Sequence, residues 1–480
     1  MIQTLAQQAA NAVNAVHPEP MGLAPLLALF AAGSLLVMGW AWWVRPMNLA
    51  LGFAATVAMW TLSYVAMLQP GQAAGELLFA GGVACVLAGG FAAGRFAPGE
   101  ASGLRVGLVS ATINLLVIGA FLRDEQGGGS PVRPVLYIAG LFAVSALLGA
   151  FGDRLGRSGT TARRLPSAPV LLGIVTAANI LVMIVLGGLV TGYEAGLAVP
   201  DWPNSFGHNM LLYPISEMKG GIFYEHAHRL FGMLVGVTVL AFTVTAWKSG
   251  APAFARGATL VLLAMVVTQG TLGGLRVTGN LTASMDPSKL SPSTALAIVH
   301  GMLGQLVFGV ALVSAFAVSR AWSTVRGTVA QRSVRVLATA AFVALLCQLF
   351  LGASMRHLQV PPTAEAGARI PAWALHGHVT MAIVALVLVI VAGSRAAKAA
   401  REPALRSTAK AVTHSVGLQF LLGIGALVAV LLRRGEDIPW WEATSTTAHQ
   451  AVGALLIACT MSLAVLAWRA TDGVGVSRPA

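Results

Sequence analysis

Four histidines recur with a regular spacing and are the residues of this chain best suited to chemistry. His228 and His300 are 72 residues apart, and His378 and His449 are 71 residues apart. The second pair follows the first after 150 and 149 residues. Each histidine lies near the start of an apolar span, where an ionisable side chain usually marks a functional site. The spacing therefore predicts two pairs of imidazoles, each pair shared between two membrane helices.

Imidazole pairs inside a membrane favour haem iron over zinc. Neutral imidazole is a common axial ligand of haem. Zinc sites usually add thiolate or carboxylate ligands, and such side chains are almost absent at the depth of these histidines. All four histidines lie five to seven residues inside their spans, so they share one depth, about 8–10 Å below the outer helix ends. We predict two bis-histidine haem sites, with His228, His300, His378 and His449 as the iron ligands.

The elements that position these ligands are membrane helices. The chain has 480 residues, of which 56% are hydrophobic and only 10% charged, and its mean hydropathy is +0.77. These values are typical of an all-α polytopic membrane protein. Apolar runs of about 20 residues predict about thirteen transmembrane helices, at residues 22–44, 49–68, 76–94, 104–122, 135–152, 168–190, 222–247, 257–277, 293–318, 334–355, 372–394, 408–432 and 444–468.

The basic charge indicates membrane topology and not nucleic-acid binding. The net charge is +13, but the lysines and arginines cluster in alternate loops, as the positive-inside rule requires. This pattern predicts a multi-pass protein of the cell inner membrane, with the N-terminus outside and the C-terminus in the cytoplasm. Residues 1–21 contain neither lysine nor arginine, so a cleaved signal peptide is not expected.

The histidine-containing region is a predicted tandem duplication. Gln269-x-x-Leu272-Gly273 recurs 150 residues later as Gln419-x-x-Leu422-Gly423, and each copy precedes a histidine of the repeat by about 30 residues. Four spans separate the copies, so both run in the same direction, and the halves are related by an axis along the membrane normal. We predict an eight-helix core made of two pseudo-twofold-related four-helix bundles.

These patterns divide the chain into three regions. Residues 1–165 form a predicted five-helix membrane module, to which the sequence assigns no role. Residues 166–325 form the first four-helix bundle, and residues 326–480 form the second.

Each half offers two histidines at the start of a span, and only one of them can bind a given iron. His226 precedes His228 by two residues, and His376 precedes His378 in the same way, so the members of each couple point about 200° apart on a helix. In the first half, Glu225 lies on the face of His228. The corresponding position is Leu375, so this acid is expected to serve catalysis in the first half alone. The alternative is that Glu225 only pairs with Arg229.

Arginines at the outer helix ends are candidate partners for the haem propionates. Guanidinium groups bind carboxylates well at an interface, although such arginines can also serve as interfacial anchors. Two sets are assigned, one to each half: Arg229 and Arg276 for the first, Arg356 and Arg433 for the second. The long outer loop 191–221 is expected to form a cap over the first site.

The core resembles the haem A synthase family over about residues 168–470. The resemblance rests on Leu189-Val190-Thr191-Gly192, Pro200-Asp201-Trp202-Pro203, Glu225-His226-Ala227-His228-Arg229, Leu272-Gly273-Gly274, His300, His378 and His449-Gln450.

The family implies an enzyme that oxidises the C8 methyl group of haem O to a formyl group, giving haem A for terminal oxidases. By this resemblance His378 and His449 bind a resident haem b, and His228 and His300 hold the substrate haem. Glu225 matches the family's acid and is expected to act as a general base or an electrostatic stabiliser. Expected partners are haem O, a haem O synthase, oxidase assembly factors and membrane lipids. The sequence does not identify the electron acceptor.

The chain departs from the family pattern in three respects. It lacks the external cysteine pair of some members. Val379 follows His378 where an arginine is often found, which leaves His376 open as the ligand. The five N-terminal spans are additional.

Two other classes of protein remain compatible with the sequence. A dihaem electron-transfer cytochrome would bind two permanent haems and would have no use for Glu225. A haem transporter would bind haem without changing it. A haem O synthase is disfavoured, because no Asp-x-x-x-Asp motif occurs in a loop.

Overall fold

Over the residues that it describes, the computed structural model is all-α apart from one short hairpin, which confirms the predicted fold class. It describes residues 39–40, 44–68, 72–122, 132–158, 164–278, 292–329, 331–360, 370–435 and 437–471. The first predicted span, 22–44, falls almost wholly outside these residues. Within them, eleven helices are long and apolar enough to cross a membrane, and a shorter apolar helix covers Gly103–Val117. The chain is therefore a multi-pass membrane protein.

In the described part of the chain, four helices precede the histidine-containing core. They are α1 (Pro46–Met67), α2 (Gln72–Phe96), α3 (Gly103–Leu122) and α4 (Val132–Arg157). Glycines bring their backbones together, because a Cβ atom at Gly90 or Gly103 would lie within 2.2 Å of the carbonyl oxygen of Gly149. Small residues at helix crossings allow this close approach in membranes.

The first half of the core contains four long helices and the outer loop. The helices are α5 (Ala168–Gly192), α6 (Gly221–Lys248), α7 (Ala253–Thr278) and α8 (Pro292–Ala317). Each packs against the next, and α8 closes the bundle against α5. The loop between α5 and α6 holds strands β1 (Asn204–Ser205) and β2 (His208–Asn209), which pair antiparallel, and two short 3-10 helices, Met210–Leu212 and Ile215–Glu217.

The second half repeats this arrangement. A short helix α9 (Ala321–Thr324) leads to α10 (Arg332–His357), α11 (Ala372–Ala399), α12 (Pro403–Leu432) and α13 (Trp440–Thr471). These four long helices also close on themselves, with α13 packed on α10. Between the halves, α8 packs on α13, α5 on α13 and α8 on α10. Because α5 corresponds to α10 and α8 to α13, the last two contacts are equivalent under exchange of the halves.

The N-terminal helices pack on the first half. Helix α1 packs along α5, and α3 contacts the short 3-10 helix Met210–Leu212 of the outer loop. Tyr64 of α1 stacks on Phe223 of α6 with ring centroids 5.2 Å apart, and Trp60 meets Phe231 edge-on at 5.5 Å. These aromatic contacts join the N-terminal helices and the first bundle into one apolar core.

Candidate functional site

The structure brings the four histidines together as two facing pairs. His228 on α6 lies opposite His300 on α8, with ring centroids 6.5 Å apart and ring planes at 66°. His378 on α11 lies opposite His449 on α13, with centroids 6.3 Å apart and planes at 84°. The two pairs occupy equivalent positions in the two bundles, as the spacing of the sequence predicts.

Each pair has a separation that suits two axial ligands of one metal. Two imidazoles bound on opposite sides of an ion have centroids roughly 6 to 6.5 Å apart, given metal–nitrogen bonds of about 2 Å. The described residues contain no group of three or more His, Cys, Asp or Glu side chains placed so that it could hold a metal ion. A macrocycle that supplies the remaining ligands therefore fits these pairs better than a bare ion does, and haem is such a macrocycle.

The second histidine of each couple points away from the pair. His226 is fully buried beneath the outer loop, where its Nδ1 lies 3.1 Å from the Ser205 hydroxyl and its ring lies 4.9 Å from that of Tyr213. His376 is exposed. The geometry thus favours His378 over His376 as the ligand in the second half, the choice that the sequence left open.

A helical glycine on a neighbouring helix makes room for each of the four rings. A Cβ atom at any of these glycines would lie 2.7 to 3.1 Å from the histidine Cε1. In all four cases Cε1 is the nearest ring atom, Nδ1 the next and Nε2 the farthest, so the rings share one orientation. The four couples are Gly187 with His228, Gly273 with His300, Gly352 with His378, and Gly423 with His449.

Glutamines lie beside both rings of the second half. The side-chain amide nitrogen of Gln348 lies 3.3 Å from Nε2 of His378, and Nδ1 of His378 lies 3.2 Å from the backbone carbonyl oxygen of Gln348. The Gln419 amide nitrogen lies 3.0 Å from Nδ1 of His449. Both glutamines precede a ring-facing glycine by four residues, so one helix turn separates the polar group from the gap that accommodates the ring.

Among the described residues, no side-chain amide is hydrogen-bonded to a ring of the first half. Met183 stands where the second half has Gln348, four residues before the ring-facing Gly187. Gln269 is present, but its amide donates to the carbonyl oxygen of His300 at 2.8 Å. Among the described residues, Nδ1 of His228 and Nδ1 of His300 have no hydrogen-bond partner.

Glu225 is buried in a network that fastens the outer loop. The residue is only 4% exposed. One carboxylate oxygen accepts from Arg229 at 2.8 Å, and the other accepts from the backbone N–H of Val199 at 2.8 Å. Arg229 also donates to the carbonyl oxygens of Val199, Asp201 and Asn204. Arg229 therefore holds the loop, and its predicted contact with a haem propionate stays a prediction.

The Asp-Trp-Pro motif shapes this loop. Asp201 accepts from the backbone N–H groups of Phe206 and Gly207, both at 2.7 Å. Phe206 and Gly207 form the turn between β1 and β2, and both have positive φ, as a tight hairpin turn requires. Burial raises the pKa of Tyr213 in the same loop to about 12, so its hydroxyl keeps its proton and remains a hydrogen-bond donor.

Trp202 of this motif docks on α7. A Cβ atom at Gly274 would lie 2.3 Å from the Trp202 ring, so the indole occupies the space above this glycine. The loop therefore contacts the same helix that carries the ring-facing Gly273. The predicted cap over the first half is present.

Two predicted arginines approach the site from the outer ends of α7 and α10. Arg276 lies against the loop, since a Cβ atom at Gly196 would be 2.8 Å from its Nη1, and Glu225 is within electrostatic range of it. Arg356 donates to the carbonyl oxygen of Thr191 in the first half. Neither guanidinium is exposed. Their predicted contacts with propionates stay predictions.

Arg433 is only 2% exposed and joins the two halves. It lies 3.2 Å from Glu194 of the outer loop and 3.6 Å from Glu442 at the start of α13. Sequence reasoning assigned neither acid as a partner of Arg433. Nothing in their local sequence marks them, because Glu194 and Glu442 are 248 residues apart. The ring-facing glycines and Gln348 were missed as well, although the repeated Gln-x-x-x-Gly spacing could have indicated them.

The fold and the site define a multi-pass membrane protein with two candidate haem sites. A family model described as Cytochrome oxidase assembly protein matches residues 170–461. This match covers more than half of the chain and includes all four facing histidines, so the chain belongs to that family. The predicted resemblance to the haem A synthase family is confirmed.

Two relatives carry the name Heme A synthase. The protein of Methylorubrum extorquens (strain PA1) is 32% identical over 162 residues, which cover 31% of this chain and 41% of the relative. The protein of Methylobacterium radiotolerans is 30% identical over 182 residues, which cover 36% of this chain and 48% of the relative. The matched regions thus span less than half the length of either relative.

Proposed function

We propose that this protein is a haem A synthase, an oxidoreductase that converts the C8 methyl group of haem O to a formyl group. The observation that carries the proposal is the presence of two equivalent facing imidazole pairs, of which the first has a buried acid three residues before its histidine and a folded loop docked beside it. Family membership and the names of the two relatives support the same activity.

The two halves divide the work in this proposal. His378 and His449 hold a resident haem b, and His228 and His300 hold the substrate haem. The outer loop and Glu225 belong to the first half, where the methyl group reacts. The second half has Leu375 in place of Glu225 and a loop, residues 358–371, half as long as residues 193–220. A retained electron-transfer group needs neither of these features.

The resident haem supplies an iron centre that takes up and passes on single electrons. The chain's own residues bind, orient and enclose the substrate. Glu225 places a fixed negative charge three residues before His228, on the same face of α6. Its bonds to Arg229 and to the Val199 backbone keep the loop closed, which excludes bulk water from the first site. The oxidation also releases protons, and Glu225 is the buried carboxylate in position to accept one.

The remaining assignments are part of the same proposal. Arg276 pairs with a propionate of the substrate haem, and Arg356 and Arg433 pair with those of the resident haem. The protein lies in the inner membrane with its N-terminus outside and its C-terminus in the cytoplasm. Haem O arrives from a haem O synthase, and the product passes to assembling terminal oxidases. The electrons leave to an acceptor outside the chain.

The test is extraction of the pigments from the purified full-length protein, followed by mass spectrometry of the haems. We expect haem B together with haem O, haem A or a hydroxylated intermediate. Haem B alone, with no product after addition of haem O, would contradict the enzyme and favour a dihaem cytochrome. Bound haem O that is never oxidised would favour a transporter.

A further inference from the structure

A pocket of about 560 Å³ lies between the halves, at the end of the core opposite to the histidines. It is bounded by α7 of the first half, by α9 between the halves, and by α10 and α13 of the second half. Its volume is in the usual range for a small-molecule site. Along α13, Arg469 in its wall follows His449 after 20 residues, which is about 30 Å at the rise of an α-helix. The pocket is therefore separate from both histidine pairs.

Two guanidinium groups lie on two indole rings in the wall of this pocket. The Cζ atom of Arg335 is 4.3 Å from the ring centroid of Trp468, and that of Arg469 is 4.1 Å from the ring centroid of Trp322. An arginine stacked on an aromatic face holds its planar fork of N–H donors in one orientation. Both guanidinium groups are therefore oriented by the chain itself.

Further contacts fix the two indole rings. The Trp468 Nε1–H donates to the Thr339 hydroxyl at 3.0 Å. Trp322 stacks on Phe254 with ring centroids 4.4 Å apart and planes at 15°, and its backbone carbonyl oxygen accepts from Nε of Arg469. Because each ring is held by a second group, the pocket is preformed, and a ligand would not have to order it.

Arg335 brings a positive charge into the pocket without an acidic partner. Its guanidinium is half-buried and contacts Trp468. Among the described residues that line the pocket, none is an Asp or a Glu. A cation that is partly removed from water is attracted strongly to an anion. The electrostatics of the lining therefore favour an anionic ligand.

The other walls are apolar and partly exposed on the surface of the helix bundle. Phe254 is 47% exposed and Trp468 is 51% exposed, and Ala464 and Val465 add apolar surface from α13. Tryptophan side chains at helix ends are typical of the membrane–water interface. Basic pockets between transmembrane helices at this depth are typical sites for the headgroups of anionic lipids.

We propose that this pocket binds one anionic phospholipid, with Arg335 and Arg469 on its phosphate and an acyl chain along the apolar wall of α13. Guanidinium groups bind phosphate oxygens through charge-assisted and often bidentate hydrogen bonds. A zwitterionic headgroup adds an ammonium group that two arginines would repel. The lipid contacts α7 of the first half as well as α10 and α13 of the second, so it joins the two halves. This inference does not depend on haem binding.

The test is a lipid titration of the full-length protein, purified and delipidated in a neutral detergent. The probe is dioctanoyl phosphatidylglycerol, and native mass spectrometry counts the bound copies. We expect one tightly bound copy in wild type. Arg335→Gln should weaken its affinity about tenfold, because a charge-assisted hydrogen bond is lost. Arg335→Lys should have a smaller effect, since it keeps the charge and loses only the fork geometry.

Arg256→Gln is the matched control for the loss of one positive charge. Arg256 also lies over an indole, 5.1 Å from the centroid of Trp247, near the same end of the core, but it does not line the pocket. Its removal should leave the affinity for the lipid unchanged. An equal loss of affinity in Arg256→Gln and Arg335→Gln would overturn the inference, because it would show attraction to the basic surface in general.

Two further probes identify the occupant. Dioctanoyl phosphatidylcholine should bind wild type at least tenfold more weakly, and equal affinity for the two lipids would overturn an anionic site. Inorganic phosphate should not displace the bound lipid at equal concentration. Displacement would overturn a lipid occupant and assign the pocket to a soluble phosphate. If Arg335→Gln does not fold, an affinity of Arg335→Lys equal to that of wild type overturns the inference instead.

Discussion

The two halves of the core share one frame for their histidines and differ in what surrounds it. Both pairs have ring centroids between 6.3 and 6.5 Å apart, and all four rings lie against a helical glycine. The first half adds the Glu225–Arg229 network and a long loop docked on α7. The second half adds Gln348 beside His378. The geometry of the histidine pairs is therefore the same in both halves, while the neighbouring side chains differ.

This comparison shows which positions must stay the same wherever two histidine rings face each other in this fold. The glycines remove the side chain that would collide with the ring, so they are needed wherever the ring is needed. The side chains one turn away from these glycines differ between the halves, with Met183 in the first and Gln348 in the second. They are free to differ because they do not set the distance between the imidazoles.

The largest expected effect separates the two histidine pairs. His378→Ala should remove the resident haem and with it all product formation, since an axial ligand is lost. His228→Ala should abolish product formation and leave the resident haem bound. Haem content per protein and mass spectrometry of added haem O measure the two effects.

Exposed His376 provides the control for this comparison. His376→Ala should leave the haem content and the product formation unchanged, because the ring of His376 does not face His449. Loss of the resident haem in His376→Ala, with retention in His378→Ala, would reverse the ligand assignment.

The second prediction concerns the acid found only in the first half. Glu225→Gln should lower product formation by about 10²- to 10⁴-fold, the usual range for loss of general acid–base catalysis. It should leave the resident haem spectrum unchanged, because the second half has Leu375 at this position. Leu375→Gln is the matched variant and should have little effect on product.

Limited proteolysis of the outer loop distinguishes catalysis from loop closure. The glutamine amide oxygen can still accept from Val199, so the loop should stay protected in Glu225→Gln. If Glu225→Gln loses activity and its outer loop also becomes sensitive to protease, Glu225 has a structural role in closing the loop.

The third prediction uses the ring-facing glycines. A Cβ atom at Gly352 would lie 2.7 Å from Cε1 of His378. Gly352→Ala should therefore destabilise the second half by about 1–3 kcal/mol, the usual cost of overpacking, and lower haem content. Gly187→Ala should reduce product formation but not resident haem.

Gly425→Ala serves as the control on α12, because nothing lies within 4 Å of a Cβ atom there. Thermal unfolding and haem content are the measurements. Equal effects of Gly352→Ala and Gly425→Ala would show that the space beside the His378 ring is not needed for stability or haem content.

The smallest expected effect tests the docked loop. Gly274→Ala would place a Cβ atom 2.3 Å from the Trp202 ring, so the loop must shift and its protease sensitivity should rise. We expect product formation to fall a few-fold, because the loop excludes water and does not itself bind iron. Gly270→Ala, one turn away with nothing within 4 Å of its Cβ atom, should behave like wild type. Identical behaviour of the two variants would argue against a closed loop.

The N-terminal region shows a further limit of sequence reasoning. Its helices could be predicted from their apolar length, but their packing against α5 and α6 could not. Tyr64 and Phe223 are 159 residues apart, and their stacking depends on two bundles meeting. The sequence assigned no role to residues 1–165, and the structure adds that the described helices of this region pack on the first half and contact the outer loop.

The sequence by itself determined the membrane class, the duplication and the four facing histidines. Apolar length and spacing are local properties, and the repeat placed two histidines at matching positions in each half. For the same reason the sequence could not choose between His376 and His378, which lie on opposite faces of one helix. That choice was made by the packing of α11 against α10 and α12.

Only the tertiary structure decided which partners the charged and polar side chains have. Arg229 and Arg433 were predicted to bind propionates, yet they lie in contact with loop carbonyls and with acids distant in sequence. Gln269 and Gln419 have the same type and spacing, but only Gln419 reaches a ring. A hydrogen bond depends on tenths of an ångström between helices, and the sequence of either helix alone does not contain that distance.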